Sequence, residues 1–522
     1  MPTHESWMKR RAGILLPVSS LPSKYGIGSL GKAARDWVDF LAAARQAFWQ
    51  VLPMGPTGFG NSPYQSYSAF AGEPIYIDLD ILADDGLISG KGLKKADWGS
   101  DPGRVDYDAV RKAREPFLRK AFGNFKKDKS LSRFRNKNAG WIEDYALFMA
   151  LKNAHEGRPW YQWEEDIRLR KPAAMKQAKK ELSGEIEYHV FTQYLFFKQW
   201  EKLKKYANKK GVSIIGDTPI YVSGDSSDVW ANPGQFQLDS ENNPTVVAGC
   251  PPDAFSADGQ LWGNPIYRWD MMKADGYSWW IDCIKAKLSM FDVLRIDHFR
   301  GFESYWAVPY GDETARGGKW VKGPGYDFIS AINKAVPGAP IIAEDLGYLT
   351  PAVKTLLKRS TYPGMKVLHF AFTSWEDSSY LPHNYGNHCV VYTGTHDNDT
   401  TLGWIRHAPE GDLEMAKDYL GFTDEEQGVW CFIRAALTSV GDLAVVPMQD
   451  YLVLGSEARM NTPSTVSPMN WSWRMEKGAY TKELAQKIAR LTVITARAET
   501  EEPKNDKGRT GKKAGRKKSK RG

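Results

Sequence analysis

Asp297, Glu344 and Asp397 each stand where an apolar, strand-like stretch ends, in VLRIDHFRG at 293–301, PIIAEDLG at 340–347 and VVYTGTHDND at 390–399. This pattern places three acids at the carboxyl ends of successive strands. In a barrel of parallel strands all such ends open on one face, where barrel enzymes build their active sites. Arg295 and Asp297 lie two residues apart on an extended segment, so their side chains share a face. The guanidinium is expected to lower the Asp297 pKa and hold it ionised, fit to act as a nucleophile. The same pair would serve equally well as a structural ion pair in the mouth. Glu344 follows Ile341, Ile342 and Ala343, an apolar setting that raises a carboxyl pKa and keeps its proton for general-acid work. Two carboxyls with separated pKa values are what glycosidic-bond cleavage needs: one protonates the leaving oxygen while the other attacks the anomeric carbon or activates water. The neighbouring Asp345 could cap the following helix. His396 and Asp397 could grip sugar hydroxyls, with Asp397 stabilising positive charge on an oxocarbenium-like ring. A metal reading is disfavoured because no second His or Glu stands at a ligand-like offset, and there is no phosphate loop or nucleophile elbow.

These acids need strands to hold them, and eight apolar strand-like runs occur with helical patterns between them: 13–18, 48–54, 213–222, 293–297, 341–346, 365–370, 389–393 and 444–448. Several are almost continuously apolar, which suits parallel strands buried on both faces. Between the first two, Ala34, Trp37, Val38 and Leu41 recur at three- and four-residue spacing, the mark of a helix with one buried face. The expected fold is therefore α/β, a (β/α)8 TIM barrel of residues 1–502 with insertions at about 84–185 and 223–277 around its carboxyl-terminal mouth. The first insertion contains charged helical stretches, 141–154 and 186–207. The second is rich in Gly, Pro, Asp and Asn and reads as loops over the mouth.

Composition adds bounds. The chain carries 20 Trp, 24 Tyr and 22 Phe, whose flat apolar faces and polar edges suit sugar rings as well as a large core. The formal charge of +8 is located in the tail: residues 503–522 hold ten Lys/Arg against Asp506, which leaves residues 1–502 at −1. Without apolar residues to offset ordering entropy, that tail is expected to be disordered, and any nucleic-acid binding by it to be nonspecific. The four cysteines lack metal-ligand spacing and read as free thiols in a reducing compartment. No signal peptide or membrane-spanning stretch is evident. A cytoplasmic protein is expected.

Several long motifs then point to one family. GNSPYQSYSAFAG at 60–72, GDTPIYV at 216–222, LWGNP at 261–265, LRIDHFRG at 294–301, AEDLG at 343–347, LPHNY at 381–385 and GTHDNDT at 394–400 resemble, in that order, the amylomaltase or disproportionating-enzyme family of 4-α-glucanotransferases, glycoside hydrolase family 77. The resemblance covers roughly residues 12–475. It implies transfer of a glucanosyl segment from an α-1,4-glucan donor to the 4-OH of glucose or a maltodextrin, by a retaining double displacement. Asp297 would be the nucleophile, Glu344 the acid/base and Asp397 the transition-state stabiliser. Tyr64 would stack on the sugar at the cleavage point, with Arg295, His396 and Asp217 fixing its neighbourhood. Ser62, Gln65, Gln260, Trp262 and Asn264 would hold neighbouring glucose units, and the loop around Phe255 would shield the intermediate and hold an acceptor. No metal or organic cofactor is implied, and the protein would be a monomer or homodimer. Two departures stand out. Ala254 occupies a position that relatives often fill with Tyr, and the stretch 459–474 resembles the family's terminal motif but is lengthened and lacks a usual Gly. Two other readings use the same residues: an α-glucan hydrolase on a related barrel, and a glucan-binding protein without catalysis.

Overall fold

A computed structural model describes residues 7–126, 128–252, 256–347, 349–373 and 377–498. Eight parallel strands form the central sheet: β1 (Arg11–Leu15), β2 (Phe48–Gln50), β3 (Ser213–Thr218), β4 (Val293–Ile296), β5 (Ile341–Ala343), β6 (Gly364–Val367), β7 (Cys389–Tyr392) and β8 (Leu443–Pro447). Their ladder order, β6-β7-β8-β1-β2-β3-β4-β5, is that of a barrel opened at one seam. Across the seam, the Ala343 N–H donates to Pro363 O at 3.0 Å, and the Met365 N–H donates to Asp345 Oδ1 at 2.6 Å. Asp345 thus caps no helix: it replaces a missing ladder contact. The following helix, Pro351–Ser360, is capped by Thr350. A Cβ on Gly364 would lie 2.7 Å from the Asp345 carboxylate, so the seam requires glycine there.

All eight apolar runs contain a strand, but several strands end earlier than their runs. Residues 51–54 and 219–222 stay apolar because the loops leaving β2 and β3 are themselves buried, as Val51, Leu52, Met54, Ile220 and Tyr221 show. Alternation within each strand sorts its side chains. Leu15, Phe48, Ile215, Val293, Ile342, Met365, Val390, Tyr392 and Leu443 pack together inside the barrel. Ile14, Trp49, Ile214, Leu294, Val391 and Ala444 belong to the surrounding core.

The first crossover helix, Lys32–Ala43, buries Ala34, Trp37, Val38, Phe40 and Leu41, and the last helix, Lys482–Ile494, packs beside it. Between β2 and β3 the chain forms a helical insertion that returns along the 27-residue helix Ser183–Lys209. The stretch 223–277, expected as loops, also supplies strands Val246–Cys250 and Gln260–Pro265. They join Ser304–Pro309 and Lys319–Lys322 in a four-stranded antiparallel sheet. None of the four cysteines forms a disulfide. No helix among the described residues is long and apolar enough to cross a membrane.

Candidate active site

The inner face of each strand changes character as it approaches the mouth. On β3, Ile215 is followed two residues later by Asp217; on β4, Val293 by Arg295 and then Asp297; after β5, Ile342 by Glu344. Apolar residues fill the barrel and the next inward position carries a charge, which is why these groups converge. The acids follow β4, β5 and β7, with β6 intervening before the third, so they do not come from three successive strands. Register pairs Leu294 with Ile341, Arg295 with Ile342 and Ile296 with Ala343, which sets Asp297 beside Glu344 one rung further on.

Arg295 organises the floor of the site. Its Nη1 lies 2.6 Å from Asp217 Oδ2 and its Nη2 lies 2.9 Å from Asp297 Oδ1. The Tyr64 hydroxyl donates to the same Asp217 Oδ2 at 2.8 Å. Asp217 is fully buried and stands behind the cleft, acting on it through Tyr64 and Arg295. The Tyr64 ring stacks on His396, with centroids 5.2 Å apart and planes 13° apart, and leans on Trp471.

Glu344 accepts two backbone hydrogen bonds, from His298 N at 2.7 Å and Leu346 N at 2.6 Å. His298 adopts a left-handed backbone, φ 50°, a conformation uncommon outside glycine and one that persists where surrounding structure holds it. Burial, then the Asp297 charge, pushes the Glu344 carboxyl up to about 8, against the opposing pull of Arg295 and the two N–H donors. Asp297 corrects the sequence expectation. Arg295 does pull its pKa down, but burial outweighs that, with Asp217 and Asp397 adding to the rise, and the net result is about 6. Its side chain is still 27% exposed, so water moderates the push. Glu344 therefore holds its proton to higher pH than Asp297, the order an acid and a nucleophile require.

Asp397 lies at the rim. Its Oδ1 accepts from Asn461 Nδ2 at 2.7 Å and its backbone carbonyl from Arg459 Nη2 at 2.7 Å, while His396 Nε2 stands 3.5 Å from its Oδ2. Asp399 turns away and accepts from Ser456. On the opposite wall, Gln65 Nε2 donates to Asn264 Oδ1 at 3.3 Å and Trp262 Nε1 to Gln260 Oε1 at 3.1 Å. The Trp262 ring meets His298 edge-on at 4.8 Å.

A cleft of about 240 Å³ gathers Ser62, Tyr64, Gln65, Gln260, Trp262, Asn264, Asp297, His396 and Asp397. Arg295, Asp217 and Glu344 do not line it but each touches a residue that does: Arg295 touches Asp297, Asp217 touches Tyr64, and Glu344 touches the His298 backbone. Phe255 and Ala254 lie outside the described residues. The cleft also includes Asn461, Trp471 and His298, to which the sequence reading assigned no role, although all three fall in stretches singled out as motifs. Among the described residues no cluster of His, Cys, Asp or Glu is placed to hold a metal ion.

Residues 16–481 match the family model described as 4-alpha-glucanotransferase, glycoside hydrolase family 77. The chain is 48% identical over 486 residues to a 4-alpha-glucanotransferase of Clostridium butyricum, covering 92% of this chain and 100% of that one. It is 48% identical over 503 residues to a 4-alpha-glucanotransferase of Thermus thermophilus, covering 94% and 99%. Its fold matches an amylomaltase from Streptococcus agalactiae in complex with acarbose, with a TM-score of 0.92 at 41% identity over 94% of this chain and 100% of that one.

Proposed function

The chain belongs to the 4-alpha-glucanotransferase family, and from that premise we propose that its cleft works by a retaining double displacement at an α-1,4-glucosidic bond. It is a transferase of α-glucans. Asp297 attacks the anomeric carbon while Glu344 protonates the departing glycosidic oxygen, leaving a glucanosyl ester on Asp297. The same Glu344 then takes the proton of an incoming 4-OH, from glucose or a maltodextrin, whose oxygen attacks the anomeric carbon as its bond to the Asp297 oxygen breaks, releasing the Asp297 carboxylate. Asp397 faces the positive charge that develops on the ring in both steps. Tyr64 stacks on the sugar at the cleaved bond, and Ser62, Gln65, Gln260, Trp262 and Asn264 hold its neighbours.

One observation carries this reading. Asp297 and Glu344 each stand one residue beyond the last paired positions of β4 and β5, Ile296 and Ala343, so the two acids leave adjoining strands at the same level, and the Asp297 charge acts on the Glu344 carboxyl. Acids that leave adjoining strands at one level suit the close pair of a retaining enzyme better than the wider pair that leaves room for an attacking water. The family's activity and the different solvent exposure of the two acids support the same division of labour. We read residues 1–502 as one catalytic domain, and four cysteines without a disulfide favour a reducing, cytoplasmic setting.

Incubation with maltotriose tests the reaction. Transfer gives glucose together with maltodextrins longer than the donor, whereas hydrolysis gives glucose and maltose alone. A 2-deoxy-2-fluoro or 5-fluoro glycosyl fluoride should label Asp297, seen by peptide mass spectrometry. Labelling of another residue would overturn the assignment.

A further inference from the structure

The turn that carries His396 and Asp397 is tied by a buried carboxyl that the reaction just described does not use. Asp450 belongs to the short helix Met448–Tyr451 that follows β8 and is 1% exposed. Its Oδ2 accepts from Thr393 Oγ1 at 2.5 Å and from Thr401 Oγ1 at 2.7 Å, and its Oδ1 accepts from Thr401 N at 2.8 Å. Thr393 directly follows β7, and Thr401 opens helix Thr401–His407. One side chain therefore holds both ends of the segment 394–400.

The network continues to the end of β6. Thr401 Oγ1 spends its hydrogen on Asp450, so towards His369 Nε2, 3.0 Å away, it accepts the imidazole N–H. Burial, with Arg459 adding to it, pushes the His369 pKa down to about 3 and keeps the ring neutral. The His369 backbone N–H donates to Thr393 O at 3.2 Å, and a Cβ on Gly394 would lie 2.7 Å from the ring. Between its clamped ends the turn is braced from within. Asn398 Oδ1 accepts from Thr395 N at 2.8 Å and from Thr395 Oγ1 at 2.9 Å, and Thr395 Oγ1 accepts from Asp397 N at 3.3 Å. A braced turn moves as a unit, so its clamps decide where Asp397 stands. Burial pushes the Asp450 carboxyl up, while the bonds from Thr393 and Thr401 pull it back. Burying a charge this deeply is costly, and a packed apolar group in its place is often as stable. What the carboxyl supplies that an apolar group could not is a fixed distance between the two ends.

We propose that Asp450 is a positioning residue for transfer: by tying Thr393 to Thr401 it fixes the turn between β7 and the following helix, and so the position of the Asp397 carboxylate relative to the sugar ring. Asn461 and Arg459 hold Asp397 itself, whereas Asp450 holds the backbone on which it stands. His369 completes the tie by orienting the Thr401 hydroxyl. The proposal rests on the reading of Asp397 as the stabiliser of ring charge.

Kinetics of D450N, T401V, T401S, D397N and the D450N/D397N double variant test it, on maltotriose and on α-maltosyl fluoride, with thermal unfolding alongside. The ring gains positive charge with either donor, but only maltotriose needs a proton from Glu344. A displaced Asp397 should therefore cost both donors alike. The expected result for D450N is a kcat about 10–100-fold lower on maltotriose with KM within about threefold, and a similar fall in single-turnover fluoride release, as for a charged group moved by up to about 1 Å. T401V keeps the shape and removes one hydroxyl; it should lose about tenfold on both donors, and it carries the test if D450N does not fold. T401S restores the hydroxyl and should stay within about twofold of wild type. The double variant should be no worse than about threefold below D397N, as for residues acting as a unit. A folded-enzyme kcat within about twofold of wild type in D450N, or in T401V where D450N does not fold, overturns the Asp450 proposal whatever the melting temperature. So does a loss confined to maltotriose, a T401S as impaired as T401V, or losses that multiply in the double variant. An unimpaired D397N overturns the reading of Asp397 and the proposal with it.

Discussion

At the scale of single residues, the site is defined by how differently two neighbouring carboxyls hold a proton. The proposed double displacement needs Asp297 ionised and Glu344 protonated at the start. The rate should therefore rise as pH passes about 6 and fall as it passes about 8, giving a bell-shaped kcat/KM profile for a maltodextrin donor. With α-maltosyl fluoride, whose leaving group needs no proton, the first displacement should lose its alkaline limb, as read by single-turnover fluoride release. E344Q should retain that fluoride release while losing maltodextrin transfer by several orders of magnitude, and D297N should lose both. The acids themselves were legible in the sequence, because each ends an apolar run and inward-facing positions recur every second residue. The direction of the Asp297 shift was not. Arg295 is visible two positions away, but the depth of the barrel mouth and the approach of Asp217 and Asp397 from other strands are products of the closed fold.

At the scale of elements, Asp397 depends on a segment more than sixty residues further along. Asn461 and Arg459 hold its side chain and its carbonyl, and Trp471 braces the His396–Tyr64 stack from the same segment. Replacing Asn461 by Ala frees a carboxylate that should be fixed beside the ring, and kcat for maltotriose should fall roughly 10–100-fold, as for loss of one oriented electrostatic contact. The terminal motif was visible in sequence, but nothing local in it pointed to Asp397. The small antiparallel sheet was illegible for a related reason: its four short strands come from two separate excursions, after β3 and after β4, and only pairing distinguishes them from loops. A second element-level joint lies at the opposite end of the barrel. Arg497, 1% exposed, donates to the carbonyls of Leu437 at 2.7 Å, Arg11 at 2.9 Å and Gly441 at 2.9 Å. It ties the last helix's exit to the C-terminus of helix Glu425–Thr438 and the start of β1. R497A should cost roughly 2–4 kcal/mol in urea denaturation because it strands buried carbonyls, with kcat of the folded fraction unchanged.

At the scale of the whole molecule, eight strands were countable because a sheet covered on both sides needs apolar residues on both faces. The excess of aromatic residues served two ends: Trp37, Trp49, Trp160, Trp200, Trp230 and Trp280 fill the interior, while Tyr64, Trp262 and Trp471 face the cleft. The strongly basic residues 503–522 lie outside the described residues. Since the rest of the chain is nearly neutral, truncation after residue 502 should leave kcat and KM for maltodextrins unchanged, and steady-state assays of the truncated enzyme check this. The gap in the strand ladder between β5 and β6 has a consequence for motion. A hoop with seven continuous joints and one latch yields first at the latch, and here the latch residue, Asp345, adjoins Glu344. Breathing of the barrel should thereby be channelled to the stave that carries Glu344, the proposed proton donor. Hydrogen–deuterium exchange should find the Met365 and Ala343 amides opening faster than those of β4 and β7. D345A should quicken them further and lower kcat more than it raises KM, because an acid on a loosened stave spends less of its time in line with the bond it must protonate.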